Sequence, residues 1–269
     1  MSPVFIPCVL SASRTTGLVN RLTSSRRLSL QALISWFLDS PGNLPYYDKG
    51  NWVAVFYLMT MPISVVIVDY GAGNLRSVVN ALRILDCTPV LSSSSEDISR
   101  ADAVVLPGVG AAGAAMKELA TKGLIDPIKI HVSSGKPLLG VCLGLQLLLT
   151  DTEEGGLAPC MGLLPGRVKM LTGSVKIPHM GWNQVKQVRP HRIFSGIPDN
   201  SNFYFVHSYY AEPTEVSVVS GTTDYGLTFC SVLTRGNLVA TQFHPEKSGE
   251  LGLKFYANFV EMASEPIQC

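Results

Sequence analysis

Charge is scarce in this sequence, and neither sign dominates. Only 15% of its 269 residues are Asp, Glu, Lys or Arg, and 21 basic side chains stand against 20 acidic ones, a formal +1. Without a basic excess a chain has little with which to displace counterions from a phosphate backbone, so no nucleic-acid partner is expected. Disorder of the whole chain is excluded from the other side, because 46% of the residues are hydrophobic and the net charge is close to zero. Cysteines number six (Cys8, Cys87, Cys142, Cys160, Cys230 and Cys269), with no CxxC pair and no regular spacing. Neither a disulfide framework nor a zinc site is expected, and the thiols read as reduced and intracellular. Long apolar runs are missing too. The longest uncharged, mainly apolar stretch, Trp52 to Val68, has 17 residues, contains Pro62 and closes at Asp69, whereas a membrane-spanning helix needs about 20. It ends on Val65-Val66-Ile67-Val68, four β-branched residues leading into a glycine-rich turn, which reads as a buried parallel strand. No membrane span is expected. No His/Cys cluster has metal-ligand spacing and no phosphate-cradling glycine motif of either standard kind is present. No metal and no organic cofactor is therefore implied.

The first sixty residues differ from the rest. They hold five basic side chains (Arg14, Arg21, Arg26, Arg27, Lys49) and two acids, Asp39 and Asp48, which leaves 16 basic and 18 acidic residues in 61–269. A basic leader thus precedes a mildly acidic part of 209 residues, long enough for one domain with a sizeable core. Three readings of the leader stand: an organellar transit peptide, a short secretory signal, or an upstream extension with Met61 as the true start. The first suits a Ser- and Arg-rich segment without an acid before Asp39. The second fits poorly, because Arg14 to Arg27 interrupt any apolar centre.

From Met61 onward short β-branched runs alternate with helical patterns, the mark of a parallel α/β sheet. Strands are expected at Val65–Val68, Thr88–Leu91, Ala103–Leu106 and Leu138–Val141. Helices are expected at Leu75–Leu85, Ala111–Ala120, Ile125–Ser133 and from Leu143, with a turn at Ser92–Asp97. Beyond residue 160 come short alternating segments around Val168, Val185, Phe203–Val206, Val216–Val219, Phe229–Leu233 and Val239–Phe243. These read as an antiparallel or mixed extension of the sheet, followed by a closing helix from about Gly249 to Met262.

The sharpest local feature is Gly140-Val141-Cys142-Leu143-Gly144, with an apolar strand before it and an apolar helical run behind. This is a nucleophile elbow with cysteine in the serine position. Small flanking residues make room for a tight turn, the side chain projects above the strand ends, and the following helix N-terminus favours an anionic sulfur. The Leu143 N–H can then stabilise an oxyanion. A thiolate needs a base, and the chain has five histidines. His131 and His191 fall on a polar helix end and in a Pro/Arg-rich loop, and both are expected at the surface. His244 follows a strand within Phe243-His244-Pro245-Glu246-Lys247; Pro245 stiffens the segment, and Glu246 can orient the imidazole. His207 also ends a strand, but only Ser208 and Tyr209 follow it, so His244 is the better base. Pro107-Gly108-Val109-Gly110 ends the strand before the elbow strand, and its Val109 N–H is expected as the second oxyanion donor.

These residues together resemble a class I (triad-type) glutamine amidotransferase. Three further runs, Asp69-Tyr70-Gly71-Ala72-Gly73-Asn74-Leu75, Pro178-His179-Met180-Gly181-Trp182-Asn183 and Tyr204-Phe205-Val206-His207-Ser208-Tyr209, are similar to the glutaminase subunits of imidazole glycerol phosphate synthase. The resemblance covers residues 63 to about 260. It implies a flavodoxin-like α/β fold: a mostly parallel central sheet, helices on both faces, and the mixed extension. It further implies a Cys142–His244–Glu246 triad that hydrolyses L-glutamine to glutamate and ammonia through a glutamyl thioester. By the same resemblance Gly108, Gly110, Gln146, His207 and Ser208 bind glutamine, and His179, Gly181, Trp182 and Asn183 line the face toward a partner. That partner is a (β/α)8-barrel cyclase subunit, held in a heterodimer. It uses the ammonia to make imidazole glycerol phosphate and an aminoimidazole carboxamide ribonucleotide.

Other readings stay open beside it. The same triad could feed ammonia to another acceptor, or a cysteine hydrolase or a thiol sensor could sit on the same sheet. Taken singly, Trp182 reads as core and His179 as a satisfied loop histidine. The resemblance begins at Ile63, two residues after Met61, and in eukaryotes proteins of this kind carry the cyclase in the same chain. This sequence stops at Cys269 without a barrel. The expectation is a prokaryotic, cytoplasmic subunit with residues 1–60 as an upstream extension, and a plastid or other organellar location if they are a transit peptide.

Overall fold

The structure, a computed structural model, describes residues 62–71 and 73–264. The expectations for residues 1–60, and for a boundary at Met61, lie outside the described residues.

Five apolar strands make the centre of the molecule. β1 (Ile63–Val68), β2 (Cys87–Ser92), β3 (Ala103–Leu106), β4 (Leu138–Val141) and β13 (Leu238–Thr241) run parallel in the order β2-β1-β3-β4-β13. β3, β4 and β13 are buried along their whole length, because helices cover both faces and leave no solvent side to alternate with. Those helices are α1 (Leu75–Arg83), α2 (Ser95–Arg100), α3 (Ala112–Thr121), α4 (Ile125–Ser133), α5 (Leu143–Leu147) and α6 (Gly249–Ser264). Strand β1 shows how they divide. Val66 and Val68 pack with Ile98, Leu119 and Ile128 of α2, α3 and α4, while Val65 and Ile67 pack with Leu82 of α1 and Phe255 and Phe259 of α6. The two-residue period of a strand sends alternate side chains to opposite helical layers.

Beyond β13 the sheet turns antiparallel and forks, as a mixed extension should. β12 (Thr228–Arg235) lies antiparallel to β13. Its Cys230 pairs with Ala211 of β10 (Tyr209–Pro213) and with Thr222 of β11 (Val219–Asp224). One branch continues through β7 (Gly166–Met170) to β5 (Asp151–Thr152) and β6 (Ala158–Pro159). The other runs from β11 to β8 (His179–Gln187) and β9 (Ser201–His207).

Three expectations are corrected. Part of the supposed turn Ser92–Asp97 is the start of α2. Ser94 caps it, its Oγ accepting from the Glu96 and Asp97 N–H groups, and two acids in the first turn favour the helix dipole. Val216–Val218 is a 3-10 turn that leads into β11 and not a strand. His131 is buried, at 3% exposure, on the inner face of α4. Its Nε2–H donates to the Pro137 carbonyl at 3.0 Å, and burial pushes its pKa down to about 4.

Candidate active site

In a parallel sheet of this kind the carboxyl ends of the strands open on one edge, where α/β proteins place their ligands. β1 ends there in Asp69-Tyr70, β3 in Pro107-Gly108, β4 in Cys142, and β13 in Gln242-Phe243-His244. Cys142 joins β4 to α5 with φ 54° and ψ −104°, a conformation that costs a non-glycine residue on the order of 1–3 kcal/mol. The surrounding contacts impose it. The Cys142 N–H donates to the Thr241 carbonyl of β13 at 2.7 Å, and its carbonyl accepts from Leu145 N–H. The turn closes only because residue 144 is glycine, since a Cβ there would lie 1.8 Å from the Leu106 carbonyl oxygen. Gly108 is confined in the same way. A Cβ on it would meet the Tyr70 hydroxyl at 2.5 Å and Leu143 Cβ at 2.8 Å. The turn Pro107–Gly110, which carries Val109, therefore lies directly against Leu143, the first residue of α5.

His244 and Glu246 are brought together as well. Imidazole Nδ1 and Glu246 Oε1 are 2.7 Å apart, and both side chains are 2% exposed. Pro245 opens a 3-10 turn that carries Glu246 back toward the ring. Ser248 Oγ donates to the His244 carbonyl at 2.6 Å and accepts from the Tyr204 N–H. The second carboxylate oxygen accepts from the buried Tyr256 hydroxyl at 3.4 Å. Burial alone would lower the pKa of His244, but Cys142 and Glu246 outweigh it and push it up to about 10. His244 Nε2 is buried and makes no hydrogen bond of ordinary geometry. An imidazolium held by a carboxylate and aimed at a sulfur can stabilise a thiolate and later return a proton to a leaving group.

The rim of the site is the segment 206–209, where β9 passes through Ser208 into β10. The Val206 carbonyl lies 3.8 Å from Cys142 Sγ. Gln146, expected to bind a ligand, is buried and donates from Nε2 to the Tyr209 carbonyl (2.9 Å) and to Gln242 Oε1 (3.2 Å). His207 is buried too, with its ring engaged by Tyr209 and His179, while Ser208 is half-buried and its carbonyl accepts from Leu171 N–H. Gln146 and His207 thus spend these hydrogen bonds on holding the rim. Two further residues contribute that local pattern did not single out. Gln242 Nε2 approaches Cys142 Sγ at 3.6 Å. Tyr70 donates to the Pro107 carbonyl at 2.9 Å, fixing the peptide ahead of Gly108; burial, with Cys142 adding to it, pushes its pKa well up.

The residues expected on a partner face divide by strand alternation. His179, Gly181 and Asn183 turn to the inner side of β8, while Met180 and Trp182 stand outward, 62% and 58% exposed. His179 is therefore buried and not part of an open face; it stacks between Phe205 and Tyr225. Trp182 meets the Tyr204 ring edge-on, and the Lys247 ammonium lies 5.7 Å over that same ring. Met180 is the exposed apolar neighbour not foreseen. Among the described residues no group of three His, Cys, Asp or Glu side chains could hold a metal ion, and no helix is long and apolar enough to cross a membrane.

Residues 66–262 match the family model described as glutamine amidotransferase class-I. The chain is 53% identical over 199 residues to the imidazole glycerol phosphate synthase subunit HisH of Dehalococcoides mccartyi strain CBDB1, covering 74% of this chain and 97% of the relative. It is 51% identical over 198 residues to the protein of the same name from Moorella thermoacetica, covering 74% and 94%. Among solved structures it is similar to PurLQS from Thermotoga maritima, with a TM-score of 0.58 at 18% identity over 75% of this chain and 99% of that one. That likeness bears on the fold alone.

Proposed function

Since the chain belongs to the class-I glutamine amidotransferases, and within them to the HisH subunits of imidazole glycerol phosphate synthase, we propose that Cys142, His244 and Glu246 are its catalytic triad. The protein hydrolyses glutamine to glutamate and ammonia, and the ammonia passes to the cyclase that works with it in histidine biosynthesis. One observation supports the triad above the rest: a strained cysteine elbow whose neighbouring imidazole is held 2.7 Å from a buried carboxylate.

In this reading Cys142 Sγ attacks the side-chain amide carbon of glutamine. The oxyanion that forms is met by the N–H groups of Leu143 and Val109. His244 gives its proton to the departing ammonia, leaving a glutamyl thioester on Cys142, and then takes a proton from the water that hydrolyses it. Glu246 keeps the imidazole oriented and balances its charge. Gly108, Gly110 and the 206–209 rim hold the substrate, with Gln146 and His207 shaping the rim from behind. Trp182, with Met180 beside it, faces the partner subunit, which we take to be a (β/α)8-barrel cyclase in a heterodimer. The cytoplasm is the location that goes with this reading.

Glutaminase turnover measured with and without that barrel subunit and its ribonucleotide ligand tests the reading. Cys142→Ala should abolish ammonia release while leaving association with the partner intact. Turnover that is indifferent to the partner would count against a HisH role, and turnover surviving in Cys142→Ala would remove the triad.

A further inference from the structure

His179 and His207 stand directly opposite each other on the antiparallel strands β8 and β9. With both rings neutral, their hydrogen-bond partners select one arrangement of the protons between them. His207 Nδ1 lies 2.8 Å from the Tyr209 carbonyl, which can only accept, so Nδ1 carries the hydrogen. If the ring is neutral, Nε2 is then a bare acceptor, and its partner is His179 Nδ1 at 2.9 Å. His179 must therefore donate from Nδ1, which leaves its own Nε2 to accept from Asn183 Nδ2 at 3.2 Å. The second hydrogen of that amide goes to the Asp224 carbonyl at 3.0 Å, and Asn183 Oδ1 accepts from the Gln184 N–H at 2.8 Å. Each atom named has one role, and reversing any link sets two donors or two acceptors face to face. Both rings are neutral: burial pushes His207 down to about 3 and His179 down to about 4.

The chain ends at the nucleophile's rim. The Tyr209 carbonyl that receives the His207 proton also receives Gln146 Nε2 from α5, at 2.9 Å. One donor comes from the helix that begins after Cys142, the other from the relay through β8. Both donors converge on that one carbonyl, three residues after Val206, whose own carbonyl lies 3.8 Å from Cys142 Sγ.

We propose that His179 is a positioning residue for the glutaminase reaction: by donating to His207 it fixes that ring and, through it, the 206–209 segment against Cys142. The same chain links Asn183, on the strand that carries Trp182, to the substrate's rim. This inference rests on the glutaminase reading, because it assigns the rim to glutamine.

His179→Phe tests it, assayed in the complex with the partner subunit. Phenylalanine keeps a ring in the stack between Phe205 and Tyr225 but has no N–H, so His207 Nε2 is left buried and unpaired. An unpaired buried acceptor lowers kcat/KM for glutamine by roughly tenfold to a hundredfold, the loss falling mainly on KM because the substrate's rim is displaced. His179→Asn, whose Nδ2 can take the place of the imidazole Nδ1, should recover most of that loss. The rate at which iodoacetamide alkylates Cys142 should stay at the parent value in both variants, since neither touches the Cys142–His244 pair. An unchanged kcat/KM in His179→Phe, an Asn variant as impaired as the Phe variant, or slowed alkylation would each overturn the positioning role. A parent complex without any glutaminase activity would instead overturn the underlying reading. The nitrogen spectrum of the parent keeps the two failures apart: His207 Nε2 resonating as an unprotonated acceptor upholds the relay, and a protonated Nε2 overturns it.

Discussion

His244 has to hold a proton while buried, a state that burial disfavours. Its ring is 2% exposed, yet the interactions with Cys142 and Glu246 bring its pKa up to about 10. An unfolded histidine titrates near 6.5, so folding takes up a proton across that interval. The stabilisation is complete below about pH 6.5 and is lost as pH rises through about 10. Followed through its imidazole resonances, His244 should remain an imidazolium to about pH 10, and in Glu246→Gln it should titrate well below that value. A parent His244 that titrates near 6.5 would contradict the charge balance described. Much of this site was legible residue by residue. A cysteine between glycines after an apolar strand, and a histidine two residues from a glutamate across a proline, both announce their chemistry locally. Gln242 and Tyr70 do not. Gln242 reaches Cys142 across a hundred positions of chain and Tyr70 reaches Pro107 across 37, and short-range pattern carries no information about either approach.

Among the elements, the parallel strands β1, β3 and β4 were the most legible, because burial on both faces writes them as nearly continuous apolar runs. α2 was hidden by its own cap, since the serines that read as a turn include the Ser94 that starts the helix. The fork at β12, which pairs Cys230 to two strands at once, is a long-range choice with no local mark. α4 was found, but its polar end misled: His131 lies on the inner face, donating to Pro137. That burial has a consequence for acid stability. A folded pKa of about 4 against an unfolded value near 6.5 means that His131 stays neutral in the native state while the unfolded chain binds a proton. Its contribution is present above about pH 6.5 and is lost as pH falls toward 4, on the order of 3 kcal/mol in full. His131→Gln, which removes the titrating ring, should flatten the fall in unfolding free energy between pH 6.5 and 4 in denaturant titrations. A variant with the parent's slope in that range would show that His131 is not the group responsible.

For the molecule as a whole, the sheet does two jobs with one set of strand ends. The parallel half delivers Cys142, the Pro107–Gly110 turn and His244 to a common edge. The antiparallel branch of β8 and β9 brings the rim and the Trp182 face to that same edge. On the proposed reading that Trp182 faces the partner, the nucleophile lies close to that face: Tyr204, met edge-on by Trp182 and capped by Lys247, belongs to the strand that ends at His207. The central claim is that glutamine is opened by Cys142 itself. Acid quenching of the partner-bound enzyme during turnover, followed by peptide mass analysis, tests it most directly. The expected result is a glutamyl thioester on the peptide that carries Cys142, present in the parent and missing from Cys142→Ser. Steady turnover with that peptide unmodified, or with the adduct on another residue, would contradict the account.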